Sequence, residues 1–443
     1  MRDRLFIAAL LVAAAVSGLF LAAPSRTGEV VRFAPESPGF PWGSPTTATA
    51  WGLLAALAVC VGARRVADAL FVGAVAAVTL LVAAISTAPP TLLCAVTAGV
   101  LLGAAAQLGR ARPGHAAPVA TMTGVVAGIL VAPMLAGLRA GLPTGNRRYA
   151  DYIPSSRLLL VGDTSLVDVV ACVLAVLAVA VLVIFRVRAW REQISGPPRA
   201  GVAGAAGIVV ACALTQWWFV RFIASSLRDE TSTGLNTFYG GYVVVGLTLL
   251  AALVQRGPGG LVWVGAAAAT VAVATDGTSA SGADVATVTA LLVVVASVAT
   301  TLVARRDAQW RRGRGVPIAI GVLAVFTAAQ FLDGDLSTAI PALIGPFGVP
   351  VALSIALVVA AMATSPDQSA VVGAAALLTL LRVTTGGGFG WTSYTPLSDA
   401  SGFDGLTAGP PSTAQTVVAV VALGSCLAVG VVLARRRVSP SVT

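Results

Sequence analysis

The stretch LVDVVACVLAVLAVAVLVIF, residues 166–185, carries one charged side chain, Asp168, and runs directly into RVRAWRE, residues 186–192. About 20 apolar residues in a helix that rises 1.5 Å per residue cross the hydrocarbon core of a bilayer, which is about 30 Å thick. Arginines that follow such a segment directly are typical of a cytoplasmic loop. The stretch therefore predicts a membrane-spanning helix whose C-terminal end faces the cytoplasm.

Similar apolar segments continue along the chain in both directions. Polar breaks divide the sequence into fourteen predicted spans: 5–23, 47–63, 66–86, 91–109, 119–138, 166–185, 201–222, 239–255, 260–275, 284–304, 316–332, 346–363, 370–385 and 414–434. The basic, apolar N-terminus is similar to a signal peptide, but we interpret it as an uncleaved first helix because so many spans follow. The predicted fold class is all-α: a polytopic transmembrane helix bundle of about 14 spans (range 12–14). It forms a single integral membrane domain over residues 1–443, without a soluble domain.

Composition excludes several classes of protein and of chemistry. The 443 residues are 57% hydrophobic and 10% charged, with a mean hydropathy of +0.91, whereas soluble domains have about 25% charged residues. All 28 basic residues are arginine, so a lysine for phosphate binding or a Schiff base is missing. One histidine, His115, cannot form a histidine metal site alone. We therefore predict no metal and no cofactor.

The distribution of arginine predicts the orientation. With a cytoplasmic N-terminus, the cytoplasmic segments hold 19 Arg and 5 acidic residues, and the external segments hold 9 Arg and 13 acidic residues. This asymmetry satisfies the positive-inside rule. It predicts a multi-pass protein of the inner cell membrane with both termini cytoplasmic and external loops at 24–46, 139–165, 223–238 and 386–413. The net charge of +10 is then a signal of topology and of contact with the lipid bilayer, so we predict no nucleic-acid partner.

Polar side chains lie at the external ends of several spans, whereas no Asp, Glu, Arg or His lies near the middle of any predicted span. Arginine presents a planar fork of donors that suits phosphate or carboxylate. If these ends converge, they form a polar vestibule open to the outside. Its predicted substrate-binding residues are Arg139, Asp168, Gln216, Trp217, Arg221, Asp284 and Arg382. The alternative for each arginine is that it reaches water or pairs with a neighbouring acid.

Two glycine pairs predict close helix packing. Gly99 and Gly103 have GxxxG spacing on the fourth predicted span, and Gly124 and Gly128 repeat it on the fifth. Small residues at this spacing let two helices approach closely. Because the two spans are consecutive, we expect them to pack within one chain rather than between copies.

Three functional classes remain open. The first is a transporter or flippase of a lipid-linked or amphipathic substrate, and the second is a non-catalytic membrane subunit or scaffold of a cell-envelope complex with membrane-protein partners. The third is a membrane enzyme with an external active site, although Glu29 and Glu36 form no compact acidic motif and no catalytic residue is predicted. Fourteen spans is similar to the count of the larger drug exporters of the major facilitator class and of lipid-linked oligosaccharide flippases. The loop GARRVAD, residues 62–68, orders its charges differently from the loop motif of those exporters, so the count alone identifies no family.

Overall fold

The computed structural model describes residues 2–26, 45–86, 91–112, 116–139, 166–186, 190–228, 239–255, 259–275, 295, 315–329, 367–381 and 413–436. Within these ranges, twelve helices have described bounds. They are α1 Arg2–Arg26, α2 Pro45–Gly62, α3 Val66–Ile85, α4 Thr91–Arg110, α5 Ala116–Arg139, α6 Leu166–Arg186, α7 Arg199–Arg228, α8 Gly240–Val254, α9 Gly259–Thr275, α10 Gly315–Ala329, α11 Gln368–Leu380 and α12 Thr413–Arg436. The predicted all-α fold is confirmed.

Each of the twelve helices coincides with one predicted span. Six of them are long and apolar enough to cross a membrane: α1, α3, α4, α6, α7 and α12. The predicted spans 284–304 and 346–363 lie outside the described residues, apart from the single residue at 295. The chain is thus a multi-pass helical bundle whose described part holds twelve helices, which fits the predicted range.

Helix α4 lies directly on the backbone of α2. A Cβ atom on Gly99 would collide with the carbonyl oxygen of Gly52, and one on Gly103 would lie 2.6 Å from the carbonyl oxygen of Ala56. Real Cβ atoms do not approach backbone atoms this closely, so any larger residue forces the two helices apart. The first GxxxG pair therefore serves packing within the chain, as predicted.

Helix α5 lies on α1 in the same way. A Cβ atom on Gly124 or Gly128 would collide with the carbonyl oxygen of Leu11 or Ala15, respectively. The sequence analysis based packing within the chain on α4 and α5 being consecutive. The glycines do pack within the chain, but those of α4 contact α2 and those of α5 contact α1, rather than each other. The closest packing consequently joins elements that are not adjacent along the chain.

The helices form two sets, α1–α6 and α7–α12, which we call the first and the second set. In the first set α1 packs on α5 and α2 packs on α4; in the second, α11 packs on α7 and α9, and α12 packs on α9 and α10. Helix α11 also contacts α2, α4 and α5. It is therefore the main element of the second set that meets the first.

The segment that connects the sets is bound to the first set through its backbone. The amide of Val66 donates to the carbonyl oxygen of Glu192 at 3.1 Å, and the amide of Ile194 donates to the carbonyl oxygen of Arg64 at 2.7 Å. Arg65 and Gln193 form an antiparallel bridge between these bonds. The connection thus forms a short two-stranded contact with the loop that joins α2 to α3.

All five cysteines are free thiols on helices. Cys60, Cys172, Cys212 and Cys426 are buried, and Cys94 is half-buried. Thiols in such positions behave as small apolar residues.

Candidate functional site at the basic end of the bundle

Four of the seven predicted vestibule residues have no described side chain. Asp284 and Arg382 lie outside the described residues, while Arg139 and Arg221 lie on α5 and α7 at positions where only the backbone is described. Helix α7 continues beyond Arg221 to Arg228, so this arginine lies within the helix rather than at its end. A vestibule formed by these arginines stays a prediction.

The three described vestibule residues have different surroundings. Asp168 lies in the first turn of α6, where the positive end of the helix dipole stabilises a carboxylate. Gln216 is buried on α7 and donates through Nε2 to the carbonyl oxygen of Leu380 at the end of α11, and Trp217 beside it is half-buried. The structure therefore gives Gln216 a role in joining two helices, and it does not bring these three side chains together around one ligand.

The described segments that were predicted to be cytoplasmic meet at one end of the bundle. Asp3 forms an ion pair with Arg112. Arg110 Nε donates to Ser195 Oγ at 3.1 Å, and Arg436 donates to the carbonyl oxygen of Leu253 at 3.2 Å. We call this the basic end, defined by Arg64, Arg110, Arg112, Arg199 and Arg436. If successive helices cross a membrane in alternating directions, all cytoplasmic segments must lie at the same end of the bundle. The arginines of the basic end lie together as this requires.

A buried chain of amides joins the two sets at the basic end. Gln368 of α11 donates through Nε2 to Gln107 Oε1 of α4 at 2.9 Å, and Arg110 donates to Gln368 Oε1 at 3.4 Å. Gln107 in turn donates to the carbonyl oxygen of Cys60 on α2. Gln107 and Gln368 are 0% and 2% exposed. Buried amides require such partners, because an unpaired one loses its bonds to water without replacement.

Asp367 lies where the N-termini of three helices converge. It caps α11: its Oδ1 accepts a hydrogen bond from the amide of Ser369 at 3.1 Å and one from the Ser369 hydroxyl at 2.8 Å. Its Oδ2 lies 3.0 Å from the points where Cβ atoms of Gly201 and Gly259 would be. These glycines belong to the first turns of α7 and α9. Helix N-termini carry partial positive charge, so their convergence stabilises a negative group at this point.

The charge state of Asp367 is set by opposing effects. The residue is 6% exposed, and this burial raises the pKa of its carboxyl above the ordinary value, while the hydrogen bonds from Ser369 and the charge of Arg110 act in the opposite direction. The loss of hydration is the largest of these effects, because a carboxylate is strongly hydrated in water. Asp367 is therefore easier to protonate than an exposed aspartate.

Gln255, which follows α8, contributes its amide to the same place. Its Nε2 lies 3.1 Å from the Cβ points of both Gly201 and Gly259, and the residue is 6% exposed. Among the described residues, no group donates a hydrogen bond to its buried Oε1. A buried acceptor without a donor is uncommon in folded proteins.

Trp263 lies one helical turn further into the second set. Its ring is fully buried between Gly204 of α7 and Gly373 of α11, and a Cβ atom on either glycine would collide with it. Within the described part of the chain, its indole Nε1 has no acceptor. Gln255 Oε1 and Trp263 Nε1 thus both lie buried near the basic end of the second set.

Sequence reasoning missed this site because Asp367 is one of five acidic residues in the predicted cytoplasmic segments and lies in a loop. The loop TSPDQSA, residues 364–370, differs from the other predicted cytoplasmic loops in having no arginine of its own. An Asp-Gln-Ser sequence directly before an apolar run is also a signal for a helix N-cap. The missing arginine and the N-cap sequence together indicate a carboxylate that caps a helix. Its positively charged neighbour, Arg110, comes from another helix.

Comparison with known proteins yields only a general likeness. No protein-family model matches the sequence, and no curated protein matches it. Among solved structures, the fucose:proton symporter FucP of E. coli is 13% identical, with a TM-score of 0.45, over 99% of this chain and 98% of that chain. The xylose:proton symporter XylE of the major facilitator superfamily is 14% identical, with a TM-score of 0.43, over 97% of this chain and 94% of that chain. Neither similarity assigns this chain to a family.

Proposed function

We propose that this protein is a membrane transporter or flippase of a lipid-linked or amphipathic substrate. The observation that carries the proposal is the polar contact between the two helix sets, where Gln107 and Arg110 of α4 bind Gln368 of α11. A hydrogen bond within a protein contributes only about 0.5–1.5 kcal/mol net, because it can be exchanged for bonds to water. A contact of this kind can open and close, which transport across a membrane requires.

The substrate class is proposed from the surface of the bundle. On α3, Phe71, Val78 and Val82 are 68%, 51% and 61% exposed, and their spacing places them along one side of the helix. Such a flank suits acyl chains, and the arginines predicted at the external helix ends suit a headgroup phosphate. A molecule with both parts is amphipathic or lipid-linked.

The apolar flank also supports a second candidate. A membrane subunit or scaffold would use the same exposed side chains of α3 to bind a partner helix, since contiguous apolar surface is typical of interaction sites. A third candidate, an external membrane enzyme, requires two external carboxylates about 5–10 Å apart in a cleft. Apart from Asp168, the external carboxylates lie outside the described residues.

The decisive experiment measures distances across the basic end. Spin labels are placed on Arg4→Cys of α1 and Arg435→Cys of α12, both of which are exposed, in a Cys94→Ala background that leaves only buried native thiols. The matched control pair, Arg4→Cys with Arg65→Cys, lies within the first set. Electron–electron double resonance in lipid nanodiscs then gives the distance distribution of each pair.

A transporter gives two distance populations for the pair between the sets and a single one for the control pair. A scaffold gives a single narrow population for both pairs, and that result contradicts the proposal. Native mass spectrometry of the protein in gentle detergent identifies the bound class. We expect a phospholipid or polyprenyl species, whereas a stoichiometric protein partner would favour the scaffold.

A further inference from the structure

We propose that the first helix set binds an anionic phospholipid of the membrane at the basic end. The headgroup lies on arginines of two paired segments, 62–68 and 186–192, which we call the basic patch, and the acyl chains lie on α3 and α6. This inference goes beyond the proposed function, because the headgroup of the proposed substrate is assigned to arginines at the external helix ends. It does not depend on transport.

The basic patch is built by backbone pairing between two segments that lie far apart in the sequence. The amide of Ala67 donates to the carbonyl oxygen of Trp190 at 3.3 Å. The guanidinium of Arg64 extends across the same pairing, with its Cζ 3.8 Å from the point where a Cβ atom of Gly196 would be. The loop between α2 and α3 and the connecting segment therefore form one surface.

Positive charge is in excess on the basic patch. Its two segments contain five arginines and two acidic residues, Asp68 and Glu192. Asp68 lies in the first turn of α3, where its Oδ2 accepts a hydrogen bond from the amide of Arg65 at 3.0 Å. Arg65 and Arg191 are exposed, and neither forms an ion pair with a carboxylate of the described residues. This excess favours an anionic headgroup over a zwitterionic one, whose own cation would meet like charge.

Arg65 and Arg191 are close enough to bind the same headgroup. Arg65 pairs with Gln193, and Arg191 lies two residues from Gln193 along the connecting segment. Paired residues of antiparallel strands lie about 5 Å apart and two residues span at most about 7 Å, so the two Cα atoms lie within about 12 Å of each other. Two arginine side chains can reach one phosphate across this distance.

Exposed apolar side chains lead away from the basic patch on α3 and α6, which pack against each other. On α3, which begins at the patch, they are Phe71, Val75, Val78 and Val82, and on α6, which ends there, they include Leu177 and Ile184. Their spacing places each series along one side of its helix. Half of a bilayer core is about 15 Å thick, or about ten helical residues. Acyl chains that start at the patch therefore extend past Val75 on α3 and reach Leu177 on α6.

Trp190 lies between the charged and the apolar parts of this surface. Its side chain is 46% exposed, while its carbonyl oxygen is fixed by the amide of Ala67. Tryptophan is enriched at the membrane–water interface, where its ring lies at the level of the headgroups. Arginine, tryptophan and apolar side chains thus follow one another in the order of phosphate, glycerol and acyl chains in a phospholipid.

A lipid that binds both segments of the basic patch stabilises their pairing by mass action. The protein should therefore melt at a higher temperature in nanodiscs of dioleoyl phosphatidylglycerol than in nanodiscs of dioleoyl phosphatidylcholine. The double variant Arg65→Gln with Arg191→Gln should fold but lose this difference. An unchanged difference in the double variant contradicts the proposal.

The direct test is native mass spectrometry of the full chain, titrated with either of the two lipids. In the double variant we expect the affinity for phosphatidylglycerol to fall by about 30-fold, about fivefold for each arginine, and the affinity for phosphatidylcholine to stay unchanged. The matched control is Arg435→Gln with Arg436→Gln, which removes the same charge from exposed positions in the last turn of α12. It should bind phosphatidylglycerol like the unsubstituted protein.

Three results overturn the proposal. Equal losses in the two double variants mean that the basic end attracts anions without a defined site. Equal affinities of the unsubstituted protein for the two lipids mean that the headgroup is not recognised. Displacement of phosphatidylglycerol by inorganic phosphate, beyond that caused by sodium chloride at the same ionic strength, means that the arginines bind a free anion.

Phe71→Ala tests the position of the acyl chains. We expect it to weaken the binding of both lipids, because Phe71 is the first exposed apolar side chain of α3 beyond the patch. Leu250→Ala on α8 is the control, since Leu250 is also exposed but belongs to the second set. Unchanged lipid affinity in Phe71→Ala refutes the placement on α3. None of these measurements depends on the distance populations that test transport, so the two proposals can fail separately.

Discussion

The contacts within each helix set differ in kind from the contact between the sets. Within the first set, Gly99 and Gly124 place helices so closely that backbone touches backbone. Between the sets, Gln107 and Gln368 meet through their side-chain amides. Backbone packing has one arrangement and resists change, whereas amides can exchange a partner for water. Close backbone packing thus makes the first helix set rigid, whereas the amide contact between the two sets can break and form again.

The largest effect is expected where the rigid packing is broken. Gly99→Ala should destabilise the protein by about 3 kcal/mol or more, because its Cβ meets the backbone of Gly52, which cannot move aside as a side chain can. Thermal unfolding in detergent measures this. Gly424→Ala on α12 is the matched control, since no atom lies within 4 Å of its Cβ position. It should stabilise by up to about 1 kcal/mol through helix propensity, and equal losses in the two variants would contradict the comparison.

A substitution in the contact between the sets should change the ratio of joined to separated molecules rather than the stability of the fold. Gln368→Leu leaves the Gln107 amide oxygen without its donor, so the joined state should lose about 1–3 kcal/mol relative to the separated one. The spin-label pair at positions 4 and 435 measures the shift. Gln216→Leu is the control, because it removes an amide that links α7 to α11 inside the second set. It should lower thermal stability without changing the distance distribution.

Trp263 tests whether the second set is packed as rigidly as the first. Trp263→Phe removes an indole N–H that has no acceptor among the described residues. This offsets the volume lost, so we expect a stability change within about 1 kcal/mol. Gly373→Ala should cost more, because its Cβ meets the same ring. A larger loss for the phenylalanine variant in thermal unfolding would show that the indole N–H has an important partner.

The smallest effect is expected at the exposed ion pair. Asp3 is 77% exposed at its side chain and pairs with Arg112, so Asp3→Asn should change stability by less than about 0.5 kcal/mol. Melting temperatures at low and high salt measure this, and the difference should vanish at high salt. A stability loss of more than about 1 kcal/mol in Asp3→Asn would contradict the expectation that exposed polar contacts contribute little.

Much of the fold could be predicted, because a bilayer demands long apolar helices and the sequence displays them between arginine-rich breaks. The segments 260–275 and 370–385, although short, coincide with α9 and α11. The partners of the glycines could not be predicted from spacing. A GxxxG pair shows that a helix has a close neighbour, but which helix it meets depends on the path of the whole chain.

The site was less predictable. Asp367 looks like a loop residue because the groups around it come from α7, α8 and α9, and the charge of Arg110 from α4, all far away in the sequence. Its N-cap pattern was visible beforehand, but burial is a property of the assembled bundle. Gln216, by contrast, was chosen for its polarity at a span end, and the structure uses it to pair with the α11 backbone.

The backbone pairing of the connecting segment limits how far the molecule can move. Its last backbone bond to the first set is made by Ile194, the Ser195 hydroxyl accepts a further bond from Arg110, and α7 begins at Arg199. Five Cα-to-Cα steps separate Ile194 from Arg199. They reach about 18 Å when fully extended, and Pro197 and Pro198 stiffen them. This short linker keeps the second set close to the first at the basic end. Any large displacement there must therefore be a rotation about the linker, because the two sets cannot slide apart.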